Sequence, residues 1–161
     1  MKVSAQEEYG LRCMLLLARR QRRTGREPVS LQEMAREEGL TVPNVAKLIR
    51  TLRRAGLVRS VLGRSGGYSL SREANAINIA EILAALGGRL YDTNYCGKHT
   101  GELEVCSHMG DCSIRSLWGV IGGLLDRVLG RTTLADLIGN EACMTATLDS
   151  RTPLAIAGDG R

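Results

Sequence analysis

SLQEMAREEGLTVPNVAKLIRTLRRAGLVRSVLGRSGGYSL, from Ser30 to Leu70, carries a helix, a tight turn, a second helix and a hairpin in that order. Ser30 with Glu33 predicts a capped helix start; Leu31, Met34 and Ala35 are its apolar positions and Gly39 ends it. Thr41-Val42-Pro43-Asn44 then reads as an N-cap with a proline in the first turn, opening a helix that runs to Ala55. Val45, Leu48, Ile49 and Leu52 recur at the helical period, and Asn44, Lys47, Thr51 and Arg54 fall on the opposite side. Gly56 stops this helix, Leu57 to Leu62 alternates as a strand, Gly63-Arg64-Ser65-Gly66-Gly67 turns the chain, and Tyr68-Ser69-Leu70 returns. Two helices joined at Glu38-Gly39-Leu40 and followed at once by a basic hairpin predict a winged helix-turn-helix, a mainly α fold with a small β-hairpin.

The charge is distributed to match. Residues 1–75 hold 15 Lys+Arg against 7 Asp+Glu, a net of +8, whereas residues 76–161 hold 7 against 10, a net of −3. The basic half is therefore the expected nucleic-acid surface. Asn44, Lys47 and Thr51 are placed to face the major groove, and Thr41 and Arg64 to meet phosphate or the minor groove, with Gly66 allowing close backbone approach at the wing. With no Phe, one Trp and four Tyr, stacking on single strands is not the expected mode. No acid/base pair, activated nucleophile or phosphate-cradling loop is apparent, so an enzyme is not expected.

On either side of this unit lie helices. Ser4 with Glu7 forms a capping box ahead of Tyr9, Leu11, Met14, Leu15 and Leu17, predicting a helix over about 5–20 and a basic loop over 21–28. Cys13 falls among apolar residues as a packing thiol, and Glu8 with Arg12 is an i, i+4 pair. Asn78 with Glu81 caps a further helix containing Ile79, Ile82, Leu83 and Leu86. Late in the chain, Ile114, Leu117, Ile121, Leu124 and Val128 step by three and four, and Trp118 broadens the stripe, a seam suited to a homodimer. Thr133 with Asp136 predicts a short last helix.

Between these helices, Cys96, Cys106 and Cys112 fall in one glycine-rich polar stretch, with nine and then five residues between them. Three thiolates converging on one point suit a soft metal centre, an iron-sulfur cluster or zinc. The spacing lacks paired CxxC hooks, and a wide loop suits a cluster better than a single ion. Structural zinc, a metal-free thiol switch and a disulfide are the other readings. The N-terminal apolar run is too short for a signal peptide and no run reaches membrane-spanning length, which predicts a cytoplasmic protein with no membrane partner, and in that reducing setting a metal or redox site. Cys143 reads as incidental. The expected organisation is a DNA-binding region over 1–75, a linking helix over 76–91, the cysteine loop over 92–112, a dimerisation helix and short last helix over 113–144, and a polar, disordered tail over 145–161.

The chain resembles the bacterial iron-sulfur winged-helix regulators that include IscR and NsrR. The resemblance is carried by Met1-Lys2-Val3-Ser4 with Tyr9-Gly10-Leu11-Arg12, Leu31 to Ala35, Leu52 to Val58, Gly63 to Leu70, the three cysteines, and Thr132 to Leu137. It implies a homodimeric repressor or activator in which a 4Fe-4S or 2Fe-2S cluster, held by Cys96, Cys106, Cys112 and one non-cysteine ligand, sets affinity for double-stranded promoter DNA. An oxidant or nitric oxide would be the signal at the cluster. It also adds Pro43 to the DNA-contact positions. Two departures bear on the cluster: the first gap is longer than usual, and the position of a ligating histidine in IscR-like members is Arg115, which cannot bind metal. NsrR-like members use a carboxylate on the first helix of the other subunit, and the matching residue is Glu8; a related member adds a histidine where this chain has Arg12. Glu8 is therefore the implied fourth ligand, with His108 and His99 as rivals.

Overall fold

A computed structural model describes residues 3–25, 27–63, 66–87 and 95–151. Helix α1 spans Ala5–Thr24, α2 Leu31–Glu38 and α3 Val42–Arg54; strands β1 Val58–Val61 and β2 Gly67–Leu70 form an antiparallel hairpin; α4 spans Ile79–Leu86. A one-turn helix α5, Tyr95–Lys98, opens the cysteine loop, followed by α6, Ser113–Arg131, a 3-10 turn at Asp136–Ile138, and α7, Glu141–Arg151.

The capping box at α1 forms as the sequence predicts: the Glu7 backbone N–H donates to Ser4 Oγ at 3.3 Å, and Ser4 N donates to Glu7 Oε2 at 2.7 Å. The helix continues through the basic run expected to be a loop. Gln and Arg are good helix formers, Arg22 and Arg23 complement the negative end of the helix dipole, and Gln21 is tied down by accepting from Ala74 N at 3.2 Å. Arg12 does not pair with Glu8. Its Nε lies 2.9 Å from Glu38 Oε2 and its Nη2 donates to Glu38 O at 2.6 Å, so α1 is clamped to the last residue of α2.

Gly39 adopts the left-handed conformation (φ 65°, ψ 35°) that lets the chain leave α2 and enter α3 within a few residues. Ser30 caps α2, but Glu33 pairs with Arg20 at 2.8 Å instead of closing the box. Val45, Leu48, Ile49 and Leu52 are all buried, as their spacing requires. The hairpin pairs Val58 with Leu70 and Val61 with Gly67. Val29 adds a strand-like edge, exchanging two backbone hydrogen bonds of 2.9 Å with Tyr68.

The core is aliphatic and sulfur-containing, with Met14, Met34, Leu52, Leu57, Leu70 and Ile82 among its fully buried side chains. Helix α4 belongs to this core rather than acting as a linker: Leu86 packs on Gly10, where an added Cβ would lie 2.4 Å from Leu86 Cδ1. The stretch after α6 docks on the same body. Ile79 N donates to Thr132 O at 2.9 Å, Leu134 N donates to Ile77 O at 2.8 Å, and Leu134 is fully buried. Thr133 and Asp136 cap a 3-10 turn, not a helix, because Gly139 follows within one turn. Asn140 Oδ1 accepts from Cys143 N at 2.9 Å at the start of α7, which extends through residues 145–151 that composition had assigned to the tail.

Candidate functional site

Two surfaces carry the residues that the sequence singled out. On α3, Lys47 is exposed and Asn44 and Thr51 are half-buried at the edge of the packed face. The Thr51 hydroxyl donates back to Lys47 O at 3.2 Å. Thr41 occupies the N-cap position but its side chain makes no capping bond, and Thr41 and Pro43 are both exposed at the start of the helix. Arg50 and Arg54 are exposed and without an ion pair among the described residues, and Arg53 Nη1 reaches Ser60 Oγ at 3.5 Å. Arg50 was not singled out in the sequence, although it lies three residues beyond Lys47. Arg64 lies outside the described residues. Gly66 has an internal role: its N–H donates to Gly63 O at 3.0 Å, and a Cβ there would lie 2.7 Å from Val61 O. The tight turn therefore accounts for this glycine, and its N–H is not presented to phosphate.

The cysteine loop encloses a cavity of about 320 Å³ lined by Cys96, Cys106, Cys112, Glu104, His108 and Arg115. All three thiols are half-buried and free. Cys112 is the N-cap of α6, with Sγ accepting from Arg115 N at 3.4 Å. The Arg115 guanidinium donates to Met109 O at 3.0 Å and so ties the loop to the helix. Met109 N donates to Cys106 O at 3.0 Å, a turn that starts at the second cysteine. The donor set is soft and converges on one space next to a helix N-terminus, where anionic ligands are favoured. These residues fit a thiolate-held cluster in kind. Among the described residues no three His, Cys, Asp or Glu side chains stand close enough together to hold a single ion.

The other two cysteines are apart. Cys13 is fully buried in α1, and burial first, then the nearby Glu38, pushes its thiol up to about 11. Cys143 is exposed on α7. Glu8 is exposed on α1, outside the cavity of its own subunit, and has no hydrogen-bond or ion-pair partner among the described residues. Its neighbour Glu7 is buried and bound to Ser4. His108 lines the cavity, and His99 is exposed outside its lining.

Helix α6 turns one side, around the buried Gly122, toward α4, and leaves Ile114, Leu117, Val120 and Leu124 41–62 % exposed, with Trp118 at 41 % on the border. Ile121 and Val128 are half-buried along the same stripe. No described helix is long and apolar enough to cross a membrane.

A helix-turn-helix with an attached hairpin, a cationic α3 face and a cysteine loop at the base of an apolar helix define a DNA-binding transcriptional regulator. The Rrf2 family model, described as an iron-dependent transcriptional regulator, matches residues 3–140, and the chain belongs to the Rrf2 family. It is 34 % identical over 138 residues to the Rrf2 protein of Nitratidesulfovibrio vulgaris, covering 86 % of this chain and 87 % of that one. With IscR of Cereibacter sphaeroides it shares 33 % identity over 144 residues, 88 % and 89 % of the two chains. The structure of CymR, the global cysteine regulator of Bacillus subtilis, superposes with a TM-score of 0.69 at 33 % identity, covering 86 % of this chain and 96 % of that one. The family members are regulators, not enzymes.

Proposed function

We propose that this regulator is a cytoplasmic homodimer whose affinity for promoter DNA is set by an iron-sulfur cluster, 4Fe-4S or 2Fe-2S, held by Cys96, Cys106 and Cys112. The observation that carries this reading is that three free thiols from one loop line a single cavity, while the two remaining cysteines lie elsewhere. Iron and sulfide would supply a centre responsive to oxidants or nitric oxide, the proposed small-molecule signals. The chain's own residues supply the rest. Cys112 ties the site to the first turn of α6, and the exposed stripe of Ile114, Leu117, Trp118, Ile121, Leu124 and Val128 offers a second subunit a long apolar face.

Glu8 is proposed as the fourth ligand from the partner subunit. It is exposed and uncommitted among the described residues, whereas Arg12, one turn later, is already bound to Glu38. That pair also suggests a route to DNA: Glu8 and Arg12 share α1, Arg12 holds the end of α2, and Gly39 and Thr41 then lead into α3. A change in the hold on Glu8 would bias the position of the recognition helix. Asn44, Lys47 and Thr51 are proposed to read the major groove, with Thr41, Pro43 and Arg64 at its edges.

Glu8→Ala tests the ligand assignment. The variant should fold and dimerise but lose the cluster faster under air or show altered visible absorption; an unchanged spectrum and lifetime would reject Glu8 and turn attention to His108. A metal-free thiol switch is the second reading, favoured by the likeness to CymR. Iron analysis of anaerobically purified protein separates the two, and zinc analysis identifies a purely structural metal.

A further inference from the structure

The wing carries a residue to which neither the recognition face nor the cysteine loop gives a role. Leu62 is 95 % exposed, more than any other large apolar side chain among the described residues. A lone solvent-facing leucine is ordinary on a protein surface; its position distinguishes this one. Leu62 follows the last ladder pair, Val61 with Gly67, at the point where the hairpin turns. The hairpin beneath it is firmly mounted. Val29 bonds Tyr68 in both directions, a Cβ on Gly67 would lie 2.5 Å from Val29 O, and Arg59 Nε donates to Ser69 Oγ at 3.1 Å. Arg53 at the end of α3 reaches Ser60 on the outgoing strand, so the hairpin lies beside the recognition helix.

Around it the surface is cationic. Lys47, Arg50, Arg53, Arg54 and Arg59 are all exposed on α3 and β1. Those cations draw a polyanion to this face without discriminating sequence. An apolar side chain at the end of a rigid cationic hairpin adds a different kind of contact. In the minor groove, aliphatic side chains pack on sugars and base steps and favour sequences that are narrow or easily unstacked.

We propose that Leu62 is a DNA-contact residue, an apolar wing tip that packs in the minor groove flanking the half-site read by α3. The proposal rests on the DNA-binding role of the winged domain and adds to it a sequence preference outside the major-groove contacts. It does not involve the cysteine loop. Leu62 buries nothing in the free protein, so Leu62→Ala leaves the fold intact, and a change in binding reports the contact itself.

The test uses duplexes selected from a random pool by the parent protein, titrated with parent, Leu62→Ala and Leu62→Met over a series of salt concentrations. Burial of a leucine side chain on DNA predicts that Leu62→Ala binds roughly tenfold more weakly, with an unchanged salt slope, because no phosphate contact is lost. Leu62→Met, which keeps the apolar reach, should retain most of the affinity. Equal affinity of Leu62→Ala and parent overturns the proposal. So does a loss accompanied by a shallower salt slope, because then phosphate contacts would have gone. Failure of the parent to retain any duplex would instead strike the DNA-binding role on which the proposal stands.

Discussion

Replacing Leu117 and Leu124 together by alanine tests the assignment of α6 as the dimer helix. In the free subunit these residues are 54 % and 41 % exposed, so a second copy seated on the stripe would remove roughly half of each side chain from water. Full burial of a leucine contributes about 1.5–3 kcal/mol, which gives about 1 kcal/mol for the half that dimerisation would cover. A symmetric dimer holds each position twice, so the double variant forfeits about 4 kcal/mol of association free energy, a roughly thousandfold weaker dissociation constant. The fold of the subunit should survive, because α6 meets α4 on its other side, around the buried Gly122. Sedimentation equilibrium across a concentration series, with circular dichroism as a control, reads both quantities. A dissociation constant unchanged within a factor of a few would refute the assignment, and unfolding of the isolated subunit would show that the stripe belongs to the subunit's own core.

Other consequences follow from particular contacts. Arg12→Gln removes the guanidinium that binds both the carboxylate and the backbone carbonyl of Glu38; with Arg12 partly exposed the cost is about 1 kcal/mol, or a melting shift of about 2–4 °C. Faster amide exchange at Leu40, whose N–H bonds Ala35 O, should accompany it, and unaltered exchange there would count against the clamp. The Asp136 carboxyl is held below the ordinary aspartate range, chiefly by hydrogen bonding from Arg151, so the stabilisation it provides is complete above the unfolded value of 3.8 and is lost as pH falls through the lower folded value. Thermal melts of parent and Asp136→Asn should therefore differ near neutrality and converge in strong acid; a constant difference at all pH values would contradict the pairing. The thiol of Cys13, pushed up to about 11 by burial, should resist alkylation in the native apo-protein while Cys143 reacts at once. Mass mapping of labelled peptides checks this, and early modification of Cys13 would show that α1 opens. Because that thiol stays protonated when folded but ionises near 9.0 when unfolded, its contribution to stability declines as pH rises between those two values.

What the sequence could reveal depended on the range of the interaction. Local periodicity located α3, and Val45, Leu48, Ile49 and Leu52 are buried as their spacing demanded. The caps at Ser4 and Asn78 were equally legible, because their partners lie three residues away. Contacts between distant segments were not. The single bridging residue Val29 has no repeat to announce it, and the pairing of Arg12 with Glu38 rather than Glu8 is set by how α1 crosses α2. The end of α1 was missed because a run of arginines carries helix propensity and loop-like polarity alike, and the decision rests on the tether from Gln21 to the chain after β2. The first turns of α7 lack an amphipathic pattern, and the helix is held through Arg151, which binds Asp136 and Arg131 O.

The candidate site divides in the same way. The cysteines could be read from composition, but their convergence needs Cys112 at the head of α6 and the link from Arg115 to Met109, neither of which spacing discloses. The proposed fourth ligand lies on a different helix and needs a second copy of the chain, so a single subunit presents it only as an exposed carboxylate. At the wing, glycine content suggested phosphate approach, whereas Gly66 is explained by the closeness of Val61 and Gly63 within the turn.

The most direct measurement is iron and acid-labile sulfide content, with visible absorption, on protein purified without oxygen, combined with promoter-duplex affinity before and after the metal is removed. The account predicts a coloured protein with one cluster per subunit, lost on Cys106→Ser, and a duplex affinity that changes when the cluster goes. Colourless, iron-free protein after reconstitution, or an affinity indifferent to the cluster, would contradict it.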